Sequence, residues 1–502
     1  MNEGYKQTVK QTYETGIVGY LHKPIPELCR KGIYIYSYAQ GYILSQVEPG
    51  FYCPVTLTMA TAYLLEHFAD EELKKKYLPH VISTGEVELY EGATFLTERQ
   101  GGSDVEANAV RAVPCGDHYK LYGEKYFASN AGRCGVATVL ARMDGSEPGT
   151  KGLSLFLVPW RNEDGTLNGI QIRRLKDKLG VRAVPSAEVV FEGAKAYVIG
   201  DPKKGFYYMM EALNLSRVCN AVASIGIMKQ ALEEAKQYAA NRTAFGHTLT
   251  SYPMVRETLA NLTARQEVQT SACFELISFF DRVMTAPQEA TEEKKAWNRL
   301  LIALLKMRTA EEAIAFAHEA MEMHGGNGYI EDFVTPRLLR DAQVLTVWEG
   351  TANILGLEVL RLMRKYRIHE TFMAKMDEAI ATLSAEVQPL AEPVKTGLAE
   401  LVQALKQLNG QPDDAQTYHA KKIANRLCDI YLSVVALERA EENERNNLIA
   451  RLFLQHIWDH RLFDGDMLSV RYFEGLSTLI ISCLFNKEEN RAVYYGSVLF
   501  FY

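Results

Sequence analysis

Between residues 93 and 200 the hydrophobic pattern changes period, and that change limits the fold more than any other feature of the chain. Tyr119–Asn130, Val136–Met143, Leu153–Trp160, Ile170–Leu175 and Ala187–Gly200 are short apolar or β-branched runs. Gly, Asp and Asn fill the gaps, as in DGSEPGTKG and NEDGTLNG, the pattern of strands joined by turns. Parallel crossovers need a helical stretch between strands, and none is visible, so the block predicts an antiparallel sheet or barrel. Both flanks are helical. Val55–Phe68 and Glu71–Val81 carry apolar residues at three- and four-residue spacing. Leu215, Val218, Val222, Ile225, Met228, Leu232 and Ala235 draw a buried stripe along one long helix, and Met254–Met284 and Trp297–Met323 predict two more. The expected fold is α+β: an N-terminal helical domain (1–92), a central antiparallel β domain (93–200), a C-terminal four-helix-type bundle (201–365) and a helical extension (366–502) divided by GQPDDAQ at 410–416.

Charge and cysteine usage exclude several functions. Lys and Arg number 55 against 62 Asp and Glu, a net charge of −7, so the whole chain offers nucleic acid no general attraction. The extension is no different: its 14 Lys and Arg against 19 Asp and Glu argue against a phosphate-tracking surface. Eight cysteines are scattered with no CxxC spacing, which points to neither a zinc site nor a redox pair. No metal site is expected. The N-terminus lacks a basic segment followed by an apolar one, and the apolar run from Leu476 to Phe485 is too short to span a bilayer. Cytoplasmic residence is the expectation.

Four local clusters could carry chemistry. Thr97-Glu98-Arg99-Gln100-Gly101-Gly102-Ser103-Asp104 stands where helix gives way to strands; its glycines allow close backbone approach to a ligand, although the same residues also suit a plain turn. Arg242-Thr243-Ala244-Phe245-Gly246 ends the first long helix, with an Arg suited to phosphate and a Phe suited to a planar ring, or simply a helix stop. His324-Gly325-Gly326-Asn327-Gly328-Tyr329 is either a backbone lining for an extended anion or a loop. In Trp348-Glu349-Gly350-Thr351-Ala352-Asn353, Thr351 is placed to cap the next helix and Glu349 to reach into an apolar cleft. A carboxylate desolvated there becomes a general base, whereas one on the surface would not.

Taken together, TERQGGSD, GEKYFASN, SRV at a helix start, RTAFG, HGGNGY and WEGT occur in an order and spacing that resemble the acyl-CoA dehydrogenase family. RRLKDKLGVRAVPSAEVVFEGA resembles the end of that family's β domain. The resemblance runs from about Ser45 to Arg364 and is closest to the AidB-like, alkylation-damage-associated branch, which has a Trp before the catalytic Glu and a helical extension.

The resemblance implies FAD as cofactor and α,β-dehydrogenation of an acyl-CoA thioester. Glu349 would be the α-proton base, with hydride passing to flavin N5 and the Glu349 N–H polarising the thioester carbonyl. Leu96, Thr97, Glu98, Ser103, Phe127, Ser129, Thr351 and Asn353 match cofactor-binding positions. Phe127 stands where the family's Trp covers the flavin. Arg242, Phe245 and the stretch from Glu322 to Gly326, with Met323, His324, Gly325 and Gly326, match contacts to the FAD of a neighbouring subunit, which implies a homotetramer or homodimer. Ser103, Arg217, Gly350 and Arg361 match substrate-side positions. Ser216 and Pro253 depart from the family: the first where some members carry the base, the second where many have a FAD-contacting Gln. The expected partners are acyl-CoA and, as electron acceptor, electron-transfer flavoprotein or O2. An acyl-CoA oxidase and a low-turnover AidB-like flavoprotein are the alternatives, while nucleic acid and membrane are not expected partners.

Overall fold

The computed structural model describes residues 3–285, 289–460 and 465–476. Cys483, the apolar run beyond Leu476 and the rest of the extension lie outside the described residues. The chain divides into two compact units, one of 1–231, 272–370 and 410–425, the other of 232–271, 371–409 and 426–502.

The first unit opens with α1 (Glu3–Glu14), a small ribbon of β1 (Pro24–Ile25) and β2 (Arg30–Lys31), then α2 (Tyr34–Val47), α3 (Pro49–Phe68) and α4 (Glu71–Val81). Helix α3 begins six residues before the expected Val55. Pro49 occupies the first turn, where a missing N–H costs nothing, and the Glu48 side chain accepts from Gly50 N at 3.1 Å, so the helix runs back through Pro54. Asp70 caps α4 by accepting from Leu73 N.

Seven strands follow: β3 (Gly92–Phe95), β4 (Arg111–Cys115), β5 (His118–Ser129), β6 (Val136–Met143), β7 (Leu153–Pro159), β8 (Ile170–Leu175) and β9 (Ser186–Val198). Pairings β6–β4, β4–β5, β5–β9, β9–β7 and β7–β6 close a ring, with β3 added on β6 and β8 on β9. The expectation of a wholly antiparallel sheet is corrected here, because β3 and β4 both pair with β6 in parallel. A parallel neighbour needs a long connection rather than a helix, and the loop and hairpin between these strands supply it. Ala93, Phe95, Leu121, Ala137, Val139, Phe156, Val189 and Phe191 fill the interior. Closure removes the open edges and leaves a rigid body from which loops can project.

The loop after β8 is drawn onto a helix beyond the barrel, α8 (Thr335–Leu345). Val181 holds a left-handed φ of 47° and donates its N–H to Asp341 Oδ1 at 2.6 Å. Lys178 Nζ donates to the carbonyls of Val181 and Val184 at 2.8 and 2.7 Å. Gly180 lies so close to the Arg340 carbonyl that a Cβ there would collide with backbone. The unit also contains the first part of α5 (Gly205–Asn241), the last part of α6 (Pro253–Thr285), α7 (Glu292–His324) and α9 (Ala352–Tyr366).

The second unit holds the ends of α5 and α6 nearest their connecting loop, a hairpin of β10 (Thr243–Ala244) and β11 (His247–Thr248), most of α10 (Ile368–Thr382), α11 (Glu392–Leu408), the later part of α12 (Asp413–Ala440) and α13 (Glu444–Trp458). Trp458 anchors it: the indole Nε1 donates to Ser433 Oγ at 2.9 Å, its ring abuts Gly397, and Arg426 lies over its face. Arg445 grips Glu267 through two bonds of 2.7 and 2.6 Å. Among the described residues no helix is long and apolar enough to cross a membrane.

The Gly180 approach gives a test of this packing. Gly180→Ala should lower stability by about 1–3 kcal/mol, read as a fall in Tm, because backbone rather than a flexible side chain would have to yield.

Candidate active site

The turn between α8 and α9 is the most constrained piece of backbone in the first unit. Glu349 takes a φ of 60° and Gly350 one of 102°. For a non-glycine residue this conformation costs on the order of 1–3 kcal/mol, so surrounding contacts must hold it. They come from two helices. Arg217 on α5 donates its Nε to the Glu349 carbonyl at 3.0 Å, and its guanidinium is steadied by Asn214 Oδ1 at 3.2 Å. Lys306 on α7 donates its Nζ to the Gly350 carbonyl at 2.6 Å. Asn220, also on α5, donates to the Leu345 carbonyl at the end of α8. Two consecutive carbonyls are thus each tied to a buried cation.

The Glu349 carboxylate is different. Its Oε2 is buried and has no hydrogen-bond partner among the described residues. Burial pushes its pKa up to about 6, and the positive charges of Arg217 and Lys306 oppose that rise. Burial pushes the Lys306 ammonium the other way, down to about 7, against the pull of Glu349. Nearby are two thiols, Cys53 on α3 and Cys219 on α5, both held protonated by burial. The hydroxyls of Tyr38, Tyr52 and Thr56 lie beside Cys219, so α2 and α3 supply a wall around the carboxylate.

A second loop, following β3, is fixed by another buried lysine. Lys125 Nζ donates to Glu98 Oε1 at 2.7 Å and to the Leu96 carbonyl at 3.1 Å. Glu98 also accepts from the backbone N–H of Ala109 at 2.6 Å and of Val110 at 3.2 Å. The Glu98 carboxylate therefore points inward and is fully engaged. Thr97 is joined through its carbonyl to Tyr126 N at 2.9 Å, and a Cβ on Gly102 would stand 2.6 Å from Thr97 Oγ1, which keeps the loop folded on itself. Ser103 is exposed at its tip. On β5 the Phe127 ring is 56% exposed, beside Tyr126, with the Lys176 ammonium over both rings. Ser129 Oγ lies 3.0 Å from Ser186 Oγ.

The remaining sequence candidates lie as follows. Thr351 stands at the N-cap position just before α9, but its side chain makes no cap bond, which corrects the expectation that it caps the helix. It and Asn353 are exposed. Arg361 forms a bidentate pair with Glu358, with bonds of 2.7 and 2.6 Å. His324 is buried at the end of α7, its Nδ1 2.7 Å from the Ala320 carbonyl, while Gly325 and Gly326 beyond it are open to solvent and Met323 is part-buried. In the second unit, Arg242 is exposed, and Phe245 sits between β10 and β11 with a φ of 49° and 95% exposure. Sequence reasoning missed Lys125 and Lys306. The signal for Lys306 was a single Lys in the apolar run LLIALLKM, where seven neighbours are buried with it; a lysine on such a face needs a partner.

The chain is similar to known proteins over both its β domain and its helical bundle. Residues 93–194 match the family model described as acyl-CoA dehydrogenase, middle domain, and residues 203–364 the one described as acyl-CoA dehydrogenase, C-terminal domain. Acyl-CoA dehydrogenase family member 11 of Caenorhabditis elegans is 32% identical over 82% of this chain and 69% of its own length. AidB of Escherichia coli is 31% identical over 85% of this chain and 79% of its own. The crystal structure of Caenorhabditis elegans ACDH-11 in complex with C11-CoA superposes with a TM-score of 0.83 at 27% identity, covering 97% of this chain and 84% of that one. The chain belongs to the acyl-CoA dehydrogenase family, FAD-dependent oxidoreductases acting on acyl-CoA thioesters, and is a homologue of AidB.

Proposed function

We propose that Glu349 is the base that removes the α-proton of an acyl-CoA thioester during α,β-dehydrogenation. The observation that carries this reading is Glu349 Oε2, a buried carboxylate oxygen left without a partner on a turn whose backbone is tied down on both carbonyls. Burial makes the carboxylate a stronger base than one in water. Arg217 and Lys306 keep it ionised near neutral pH, so it is ready to accept a proton. The Glu349 backbone N–H is the donor we assign to the thioester carbonyl, a contact that acidifies the α-carbon. Ser103, Arg217, Gly350 and Arg361 line the substrate side in this reading.

The chain has what FAD needs. Phe127 offers an exposed ring on which a planar ring system can lie. The backbone of Leu96, Thr97 and Glu98 is pre-set by Lys125. Ser129, Thr351 and Asn353 offer polar side chains, and a Cβ at Gly325 or Gly326 would meet nothing within 4 Å, which leaves room for an extended group along Met323–Gly326. FAD, when bound, supplies the acceptor for the β-hydrogen as hydride.

Arg242 and Phe245 serve the cofactor of a neighbouring copy in this proposal. The support is Phe245, a large apolar ring almost wholly in solvent and held there by a left-handed backbone at a hairpin tip. A ring so placed is free to lie against a planar group of a neighbouring copy.

Glu349→Gln should retain FAD and its yellow colour while slowing anaerobic flavin reduction by acyl-CoA by roughly 100- to 10,000-fold; undiminished reduction moves the base elsewhere. In the wild type, reduction should be full above pH 6 and fall as pH drops through about 6, since the protonated carboxyl cannot accept a proton; stopped-flow pH profiles of the free enzyme read this. Arg242→Ala and Phe245→Ala should lower FAD occupancy, measured by flavin-to-protein absorbance, and reduce the oligomer mass by light scattering, whereas a monomeric wild type with full FAD would refute the shared site.

A further inference from the structure

Lys306 is a buried lysine that the base reading uses only as background charge, and its surroundings assign it more. It sits in the middle of α7 with Leu300, Leu301, Ile302, Ala303, Leu304, Leu305 and Met307 buried around it. Its side chain is 1% exposed, and it donates a hydrogen bond of 2.6 Å to the Gly350 carbonyl. A lysine in such a place is strongly disfavoured unless its charge does something there.

Two consequences follow from the geometry. Gly350 is the residue after the base, so fixing its carbonyl sets the plane of the Gly350–Thr351 peptide. Arg217 on the Glu349 carbonyl sets the Glu349–Gly350 peptide before it, so the two cations fix two successive peptide planes, and the side chain at 349 has a defined origin. Two point contacts suffice because neither carbonyl then has freedom to swing. The second consequence is electrostatic. The ammonium acts on the carboxylate through an interior that water does not screen, where a neighbouring charge acts over several ångströms.

We propose that Lys306 is a positioning residue for the Glu349 base, fixing the turn through the Gly350 carbonyl and, with Arg217, holding the carboxylate as an anion in a dry pocket. Resting on the reading of Glu349 as base, this extends it to a residue that touches neither substrate nor cofactor. The other groups that face the pair are accounted for. Arg217 and Cys219 come from α5, Cys53 and Tyr52 from α3, Tyr38 from α2, and Lys178, near Cys53, from the loop after β8. The thiols and phenols are neutral, because burial holds their protons on. On the far side of Arg217 stand Glu358 and Arg361 of α9, paired with each other, and Arg299 of α7, paired with Glu211. Glu311, one turn along α7, is held by Lys421 at 3.0 Å. The cations set against the 349 carboxylate are therefore Arg217 and Lys306.

The test uses the holoenzyme and four variants, Lys306→Met, Lys306→Gln, Lys306→Arg and Glu349→Gln. The first readout is independent of turnover: infrared titration of the protonated carboxyl band of Glu349, identified as the band missing in Glu349→Gln. Loss of the ammonium in Lys306→Met should move that titration to higher pH by about one unit. Lys306→Gln, which retains a donor but not the charge, should do the same, and it carries the test should Lys306→Met not fold. Lys306→Arg should stay near wild type. The second readout is anaerobic flavin reduction by butyryl-, octanoyl- and undecanoyl-CoA. In Lys306→Met and Lys306→Gln the acid limb should follow the infrared shift and the limiting rate near pH 7 should fall about twofold, the share of carboxylate lost when a pKa of about 6 rises by one unit, with little change in the thioester concentration at half-rate. A Glu349 titration that is unmoved in both neutral variants, or moved equally in Lys306→Arg, overturns the proposal. Failure of the base reading itself looks different: Glu349→Gln would then reduce at the wild-type rate, whatever Lys306 does to the carboxyl titration.

Discussion

A carboxylate taken out of water persists as an anion only beside positive charge, and the candidate active site depends on how the fold arranges that around Glu349. If the charge were too close and directly bonded, the oxygen would be occupied and the base weakened. If it were absent, burial alone would keep the acid protonated. Here the two cations bond to the backbone carbonyls of the same turn instead of to the carboxylate. They therefore do two jobs with one contact each. The strained φ of Glu349 is compensated by strong bonds, and the charge next to the carboxylate is supplied without capping Oε2.

That arrangement explains why the site comes from segments far apart in the chain. The turn is at 346–350, its clamps on α5 and α7, and its walls on α2 and α3. Each partner lies on a regular element with buried side chains of its own, so its position is set by packing and not by the turn itself. Asp341 shows the same logic one step out: it sits on α8, just before the turn, and takes the Val181 N–H from the loop after β8. The barrel thereby touches the helix that leads into the site, and closure of the barrel gives that contact a rigid origin.

Much of this was legible in the sequence, and the failures share a cause. All five expected strands lie within two residues of the observed bounds at both ends, because strand alternation and Gly-rich turns are local signals. The parallel pairing of β3 and β4 with β6 was not legible, since register depends on which strand comes next in space. WEGT marked Glu349, but nothing in those four letters says that Thr351 leaves its helix uncapped or that Lys306 lies underneath. Arg361 and Glu98 match substrate-side and cofactor-binding positions, yet each side chain is tied to a charged partner, Glu358 and Lys125. Motifs name residue types, whereas partners come from elements that the motif does not contain.

The two lysines that the motifs did not reveal have one thing in common. Lys125 donates to the carbonyl of Leu96 and pairs with Glu98, and Lys306 donates to the carbonyl of Gly350 while facing Glu349. Each therefore grips the backbone of a loop within a residue or two of a glutamate. A hydrophobic side chain in either position would pack at least as well and would spare the cost of desolvation. What it could not do is hold a carbonyl in a fixed direction while balancing a neighbouring anion. A compact ammonium with three donors on a flexible stem does both, and it can enter a helix face at a single position without disturbing the apolar side chains around it. In a fold whose ligand-facing parts are loops, buried lysines of this kind convert the rigidity of strands and helices into fixed loop geometry.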